Sequence, residues 1–385
     1  MLPELIEKYD SHHAYWPSSP SNGKGDLIRG LVRSNDPNRG DSHFWKVWHR
    51  NAPFTAYRKF DSRFMSEYGF ESFPSIKTIR EFCPPEQFQF DSPIMENHQK
   101  NRAGNKKIMR YMKKRFSIPE KFENQVILSQ ITHAEAMEYG IENWRRKRNN
   151  FHCMGSLYWQ LNDCWPVASW SSLDYYLRWK ALHYVAKRCY QPFYANVKEE
   201  KEIVEFWIIN DYKEKRNGNL SWKIMSSEGI TLLEGSKSAE VSPCTSLLIE
   251  EVDVKEINKK KKYRNNIIFY SLRNKANEII YRGFRLFDHP KRFSIRDPEL
   301  SYAIKSSEKQ EYAFKITISS KSIALYVFIE SKSLDFVASD NYFSMQPGES
   351  REINIRLPDN KLLEDTSIKD KINEMLEVKS LFDLI

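Results

Sequence analysis

Glu67 lies in a short strand-like run, RFMSEYG over 63–69, whose pleat would set Arg63, Met65 and Glu67 on one face. A carboxylate on an otherwise apolar strand is costly to bury unless a partner or a substrate engages it. Arg63 is a candidate partner, so a structural ion pair stands beside a catalytic role for Glu67. A second run, HFWKVWH over 43–49, would place His43, Trp45, Val47 and His49 on a common face. A third, GSLYWQLN over 155–162, brings Trp159, Gln160, Asn162 and then Asp163 to the C-terminal end of a strand. In α/β barrels that end carries the active site. Indole faces stack on the apolar C–H face of a sugar ring while amides and carboxylates bind its hydroxyls, so this set suits a carbohydrate. On pattern alone the tryptophans serve equally well as core fillers.

Other chemistries have less behind them. The nine histidines include no HExxH pair, and His43 with His49 is not a spacing that one helix face offers to a metal. His12 and His13, being adjacent, point to opposite sides of an extended chain. Without a GxGxxG, Walker or GxSxG pattern, neither a phosphate-binding cofactor site nor a serine nucleophile is expected, and the expected cofactor set is none. Five cysteines without CxxC spacing argue against a disulfide framework and a structural zinc site. Cys83, ahead of Pro84 and Pro85, reads as a buried thiol.

The elements that must hold these residues fall into two regimes. Before residue 191, strand-like pieces at 14–18, 43–49, 63–69 and 155–162 alternate with helical patterns, as in a parallel α/β sheet or barrel. Ser75 is placed to cap a helix over 76–83. Ala134, Met137, Ile141 and Trp144 share a face of a helix over 133–148. Leu182, Val185, Ala186 and Cys189 do so over 175–190. After residue 191 the pattern becomes all-β, with strand-like runs at 203–209, 219–225, 246–251, 266–272 and 278–287. A boundary follows at Asp288, His289 and Pro290. Runs 312–318 and 352–357 then alternate cleanly, with a turn at Gly348. Two stretches of this kind suit two immunoglobulin-like sandwiches.

Composition limits the partners. The chain has 385 residues, 40% of them apolar and 29% charged, as in a folded protein with more than one core. No run approaches about 18 consecutive apolar residues, so no membrane span and no membrane partner are expected. The start MLPELIEKYD has no secretory apolar core, and with the free-cysteine pattern this leads us to expect a cytoplasmic chain. The net charge of +9 and the basic runs Lys259–Lys262 and Lys106–Arg115 raise nucleic acid as a partner. No nucleic-acid-binding motif accompanies them, and they read as solvated faces. Eight of the ten tryptophans fall in the first 179 residues, the half that carries the candidate site.

Longer motifs add a resemblance. RFMSEYGFESFPS (63–75) resembles the nucleophile segment of family 2 glycoside hydrolases of the β-mannosidase type. GSLYWQLNDCWPVASWSSLDYYLRWKALHY (155–184) is similar to the last barrel strand and helix of the same enzymes. AYWPSSPSNG (14–23), GDSHFWKVWHRNAPF (40–54), HAEAMEYGIENWRR (133–146) and DNYFSMQPGE (340–349) resemble further segments of them, in the right order along nearly the whole chain. The resemblance implies a multidomain α/β plus all-β architecture. Residues 1–190 would form the C-terminal half of a (β/α)8 catalytic TIM barrel. Residues 191–291 and 292–385 would form two immunoglobulin-like β-sandwiches. It implies retaining release of terminal, non-reducing β-D-mannose, so a β-mannoside oligosaccharide or glycan would be the substrate. Glu67 matches the nucleophile, Trp45 and Trp159 match sugar-contacting tryptophans, and His49 and Asn162 stand where hydroxyl contacts are expected.

Two departures follow. The family's general acid/base is a glutamate in a segment ending Asn-Glu at barrel strand four, and no segment here matches it. Glu71, beyond the strand tip, would be a poor second carboxylate. The expectation is therefore a C-terminal portion that awaits a separately encoded N-terminal half, or alternatively a non-catalytic carbohydrate-binding or assembly fragment. Alone it is expected to be inactive or very weak, and four strands without their partners would expose edges and apolar faces. Arg50 and Leu177 occupy positions where related sequences commonly have glycine.

Overall fold

A computed structural model describes residues 2–13, 15–23, 27–28, 31–32, 34–307, 313–358 and 366–385. Ala14 of the expected 14–18 strand and Tyr312 of the 312–318 strand lie outside the described residues. The chain divides into two units, Met1–Gly69 with Tyr139–Trp159, and Phe70–Glu138 with Gln160–Ile385.

In the first unit, successive chain pieces lie side by side. Residues 15–18 form no regular strand, but the Asp41 N–H donates to the Ser21 carbonyl at 3.0 Å. Gly40 makes this approach feasible: its φ is +63°, and a Cβ there would sit 1.9 Å from the Ser21 carbonyl oxygen. Strand Ser42–Phe44 then pairs in parallel with strand Met65–Tyr68, His43 lying opposite Glu67. On the other side of Met65–Tyr68 runs the segment from Gly155 to Trp159. Met65 N–H donates to Gly155 O at 2.9 Å, Leu157 N–H to Met65 O at 2.8 Å, and Trp159 N–H to Tyr68 O at 2.8 Å. Only Met65 and Ser156 form a regular bridge, so the strand expected over 155–162 is reduced to this edge contact.

The strand expected over 43–49 is corrected more sharply. It ends at Phe44, and Lys46–Arg50 is a helical turn closed by Asn51 in the left-handed region at φ 52°. Phe44, Val47 and Trp48 are all buried, which is an i, i+3, i+4 pattern and not an alternation. The last part of the long helix Phe122–Arg146 backs this layer. Trp144 stands 4.5 Å from Tyr68, 5.7 Å from Tyr57 and 6.5 Å from Phe44 between ring centroids, and its Nε1–H donates to Phe60 O at 3.1 Å. A Cβ at Gly140 would lie 2.9 Å from Trp144 and 3.1 Å from Tyr68, so glycine lets the helix lie close to the strand.

The second unit holds the remaining helices and most of the β-structure. The helix over 133–148 begins eleven positions earlier than its pattern suggests, at Phe122, and ends at Arg146. Ala134, Met137, Ile141 and Trp144 are buried as expected, the first two in this unit. Helix Ile76–Arg80 starts on Ser75, whose side chain accepts from Lys77 N–H at 3.3 Å. The helix expected over 175–190 forms only at Ala181–Cys189, because Asp174 accepts from the N–H groups of Tyr176 and Arg178 and makes a turn there. Leu177 in that turn has φ 62°, the left-handed region that favours the glycine of related sequences, whereas Arg50 is helical.

From Phe193 onward the unit is built of antiparallel sheets. Strands Phe193–Glu199, Ile203–Asn210 and Thr245–Asp253 form one sheet. Arg216–Ser226, Thr231–Val241, Asn266–Arg273 and Ile279–Leu286 form another. Their inward residues share one core, in which Phe206 and Trp222 stack at 4.9 Å. The strands at 193–199 and 231–241 were not expected from the sequence. A second core joins a sheet containing Ser301–Ser306, Phe314–Ser319 and Ser350–Arg356 to one containing Ala324–Glu330, Phe343–Met345 and Glu377–Lys379. Phe314–Ser319 alternates buried and part-exposed positions as expected, and Gly348 turns at φ 74°.

Candidate active site

The first unit gathers four of the five expected site residues. Glu67 projects from Met65–Tyr68 with its side chain 26% exposed, and its Oε1 accepts from Trp45 Nε1–H at 2.8 Å. Trp45 is held at the start of the Lys46–Arg50 turn, where the chain leaves the strand. The helical turn also brings His49 to Trp45, with ring centroids 5.1 Å apart. They meet through i, i+4 spacing and not through the strand face first expected. Trp159 is 47% exposed beside the same strand. Gly69 fits between the Trp159 main chain and the Trp45 indole: a Cβ there would be 2.5 Å from Trp159 O and 2.8 Å from the Trp45 ring. Arg63 is exposed, and the side chain facing Glu67 is instead His43, whose Nδ1 is 3.7 Å from Oε1.

The fifth residue, Asn162, belongs to the second unit. It is exposed there, and its carbonyl accepts from Gln160 Nε2–H at 2.7 Å. The neighbouring Asp163 is buried and accepts from Ser169 Oγ at 2.8 Å and Ser171 Oγ at 2.5 Å, which ties the loop down from within.

Glu71 is also in the second unit and is wholly buried. Burial holds its carboxyl well above the usual range, against the opposing charges of Lys180 and Lys107. Lys180, equally buried, is brought down to about 8 by burial, and its ammonium donates to the carbonyls of Ser72 and Ser169 at 3.2 and 3.4 Å. His133 is pushed well below its ordinary value by burial and by Lys180. These groups form an internal polar cluster of the second unit. Cys83 is a buried free thiol, raised by burial, as its sequence context suggests. None of the five cysteines is in a disulfide, and among the described residues no helix is long and apolar enough to cross a membrane.

Sequence reasoning passed over Asp41, Ser19 and Gly69. Asp41 accepts from Trp16 Nε1–H at 3.0 Å, Ser21 N–H at 2.8 Å, Ser19 Oγ at 2.6 Å and Ser66 Oγ at 2.5 Å. Burial opposes its ionisation, but these hydrogen bonds outweigh it and hold the carboxyl below its usual range. The one signal was the small-residue run SSPSN facing GDS, which reads locally as a turn.

The parallel-strand layer thus sets an indole N–H on a part-exposed carboxylate, with a second, exposed tryptophan beside it. Residues 202–292 match the mannosidase Ig/CBM-like domain and residues 295–384 match the Ig-fold domain of mannosidases. Beta-mannosidase B of Aspergillus fumigatus is 27% identical over 381 residues, covering 92% of this chain and 43% of that protein. Beta-mannosidase B of Aspergillus terreus is 32% identical over 244 residues, covering 59% of this chain and 28% of that protein. The crystal structure of beta-D-mannosidase from Dictyoglomus thermophilum superposes with a TM-score of 0.85 at 29% identity, covering 99% of this chain and 44% of that one. An exo-chitosanase from Amycolatopsis orientalis shares the fold at a TM-score of 0.67 and 13% identity. The chain is thus similar to β-mannosidases along nearly its whole length. It spans less than half the length of the relatives it matches.

Proposed function

We propose that Glu67 is the nucleophile of a retaining β-mannosidase that releases terminal, non-reducing β-D-mannose, and that Trp45, His49 and Trp159 bind the sugar. The observation that carries this reading is the Trp45 N–H on Glu67 Oε1 at 2.8 Å, which fixes one oxygen and leaves Oε2 to attack. Retaining hydrolysis needs a second carboxyl roughly 5 Å from the first. Oε2 bonds to the anomeric carbon while the second group protonates the departing glycosidic oxygen. Water, deprotonated by that same group, then displaces Glu67. In our reading the second group belongs to the other half of the barrel, residues 1–190 being its C-terminal half and 191–291 and 292–385 the two sandwiches. Support comes from the first unit, where pieces around 21, 42–44, 65–68 and 155–159 adjoin in chain order. Phe151, Met154 and Leu157, which are 72%, 47% and 55% exposed, offer such a half an apolar seat.

The test is an aryl β-mannoside assay of the chain alone and after co-expression with the upstream coding region. Alone, the missing acid role removes on the order of 10²–10⁴-fold from the rate, and turnover should be negligible. Co-expression should restore it, and Glu67→Gln should abolish it; undiminished turnover in that variant would overturn the assignment. A second reading, a non-catalytic sugar-binding module, is favoured by the 46% and 47% exposure of Trp16 and Trp159. It predicts a saturable change in tryptophan fluorescence on titrating the isolated chain with mannose.

A further inference from the structure

Asp41 is buried and has its acceptor positions filled, Oδ1 by two N–H donors, Trp16 Nε1 and Ser21 N, and Oδ2 by the hydroxyls of Ser19 and Ser66. A carboxylate only accepts, so the single hydroxyl proton of Ser19 points at Asp41. Ser19 Oγ also lies 3.0 Å from His43 Nε2. With its proton already committed, Ser19 is the acceptor there, and Nε2 must carry hydrogen. The backbone N–H of His43 donates to Asn35 Oδ1 at 2.7 Å, which anchors the residue at its main chain as well. The ring's other nitrogen, Nδ1, is left facing Glu67 Oε1 at 3.7 Å, the oxygen that already receives the Trp45 N–H. The charged or titratable groups facing the imidazole are therefore Glu67 directly and Asp41 across Ser19.

We propose that Asp41 is a remote positioning residue for Glu67: through Ser19 it fixes the tautomer and aim of His43, whose Nδ1 stands against the same Oε1 that Trp45 holds. This rests on the reading of Glu67 as nucleophile for its catalytic meaning, but the relay itself is a statement about proton positions. The low carboxyl of Asp41 supports the direction of the chain, since it keeps Asp41 an acceptor.

The Asp41→Asn variant should reverse the relay. The N–H donors of Trp16 and Ser21 cannot turn round, so the amide oxygen must stay with them and the NH₂ must face Ser19 and Ser66. Ser19 then accepts from that NH₂ group and turns its own proton to His43 Nε2, which loses its hydrogen. Long-range ¹H–¹⁵N spectra of the histidine rings in the purified chain read this directly. His43 Nε2 should be protonated in the native chain at neutral pH and unprotonated in Asp41→Asn, with the ring hydrogen on Nδ1. Ser19→Ala, which cuts the link without a charge change, should release the tautomer constraint. An unprotonated Nε2 in the native chain, or no change in either variant, would overturn the relay. Should the tautomer switch while Glu67→Gln keeps full mannosidase activity in the reconstituted enzyme, the relay stands and the nucleophile assignment falls.

Discussion

At the scale of single residues, the site depends on one missing side chain. Gly69 packs against a backbone oxygen, Trp159 O, which is itself held by the Trp159 N–H bond to Tyr68. That oxygen cannot step aside cheaply, so a methyl group must displace the Trp45 ring. Gly69→Ala should therefore lower stability by about 1–3 kcal/mol and shift tryptophan emission; an unchanged denaturation midpoint and spectrum would refute the packing argument. Glu71 makes a different point. Its carboxyl is raised by burial, so the folded chain keeps a proton that the unfolded chain releases above about 4.5. Its contribution is full below that pH and is lost as pH rises through the folded value. Glu71→Gln should gain on the native chain between pH 4.5 and 7.5, as read from urea midpoints at each pH.

At the scale of elements, Met65–Tyr68 is a four-residue strand that cannot place a carboxylate by itself. It is held by parallel neighbours on both edges and by Trp144 behind it. Trp144→Ala removes a fully buried indole and should cost roughly 3–5 kcal/mol in chemical denaturation. This layer also shows what sequence could and could not reveal. The 133–148 helix face and the alternating sandwich strands were legible because their periods persist over many residues. The strand-to-helix switch at Trp45 was not, because HFWKVWH reads as alternation unless Phe44, Val47 and Trp48 are known to be buried together. Trp45, Glu67 and Trp159 were legible as types at strand ends, reinforced by motif resemblance. The Asp41 relay was hidden because it joins residues over twenty positions apart through small hydroxyls, which carry no periodic signal.

At the scale of the molecule, the two units differ in what they enclose and what they expose. The second unit encloses two sandwich cores, whereas the first carries Phe151, Met154 and Leu157 on its surface. Exposed apolar side chains of this size promote association. The isolated chain should show concentration-dependent light scattering, and the double change Met154→Ser with Leu157→Ser should reduce it without lowering the thermal midpoint. The routing of the first unit has a further consequence, for biosynthesis. The Glu67 strand leaves the ribosome soon after its Ser42–Phe44 neighbour, but its other neighbour, around Ser156, follows only after the whole stretch Phe70–Glu138. Until then one edge of the Glu67 strand stands unpaired, and closing such a non-local contact is slow. Translation between these two points is thus the window in which a nascent chain is most exposed to mispairing, and a chaperone that shields strand edges would matter most there.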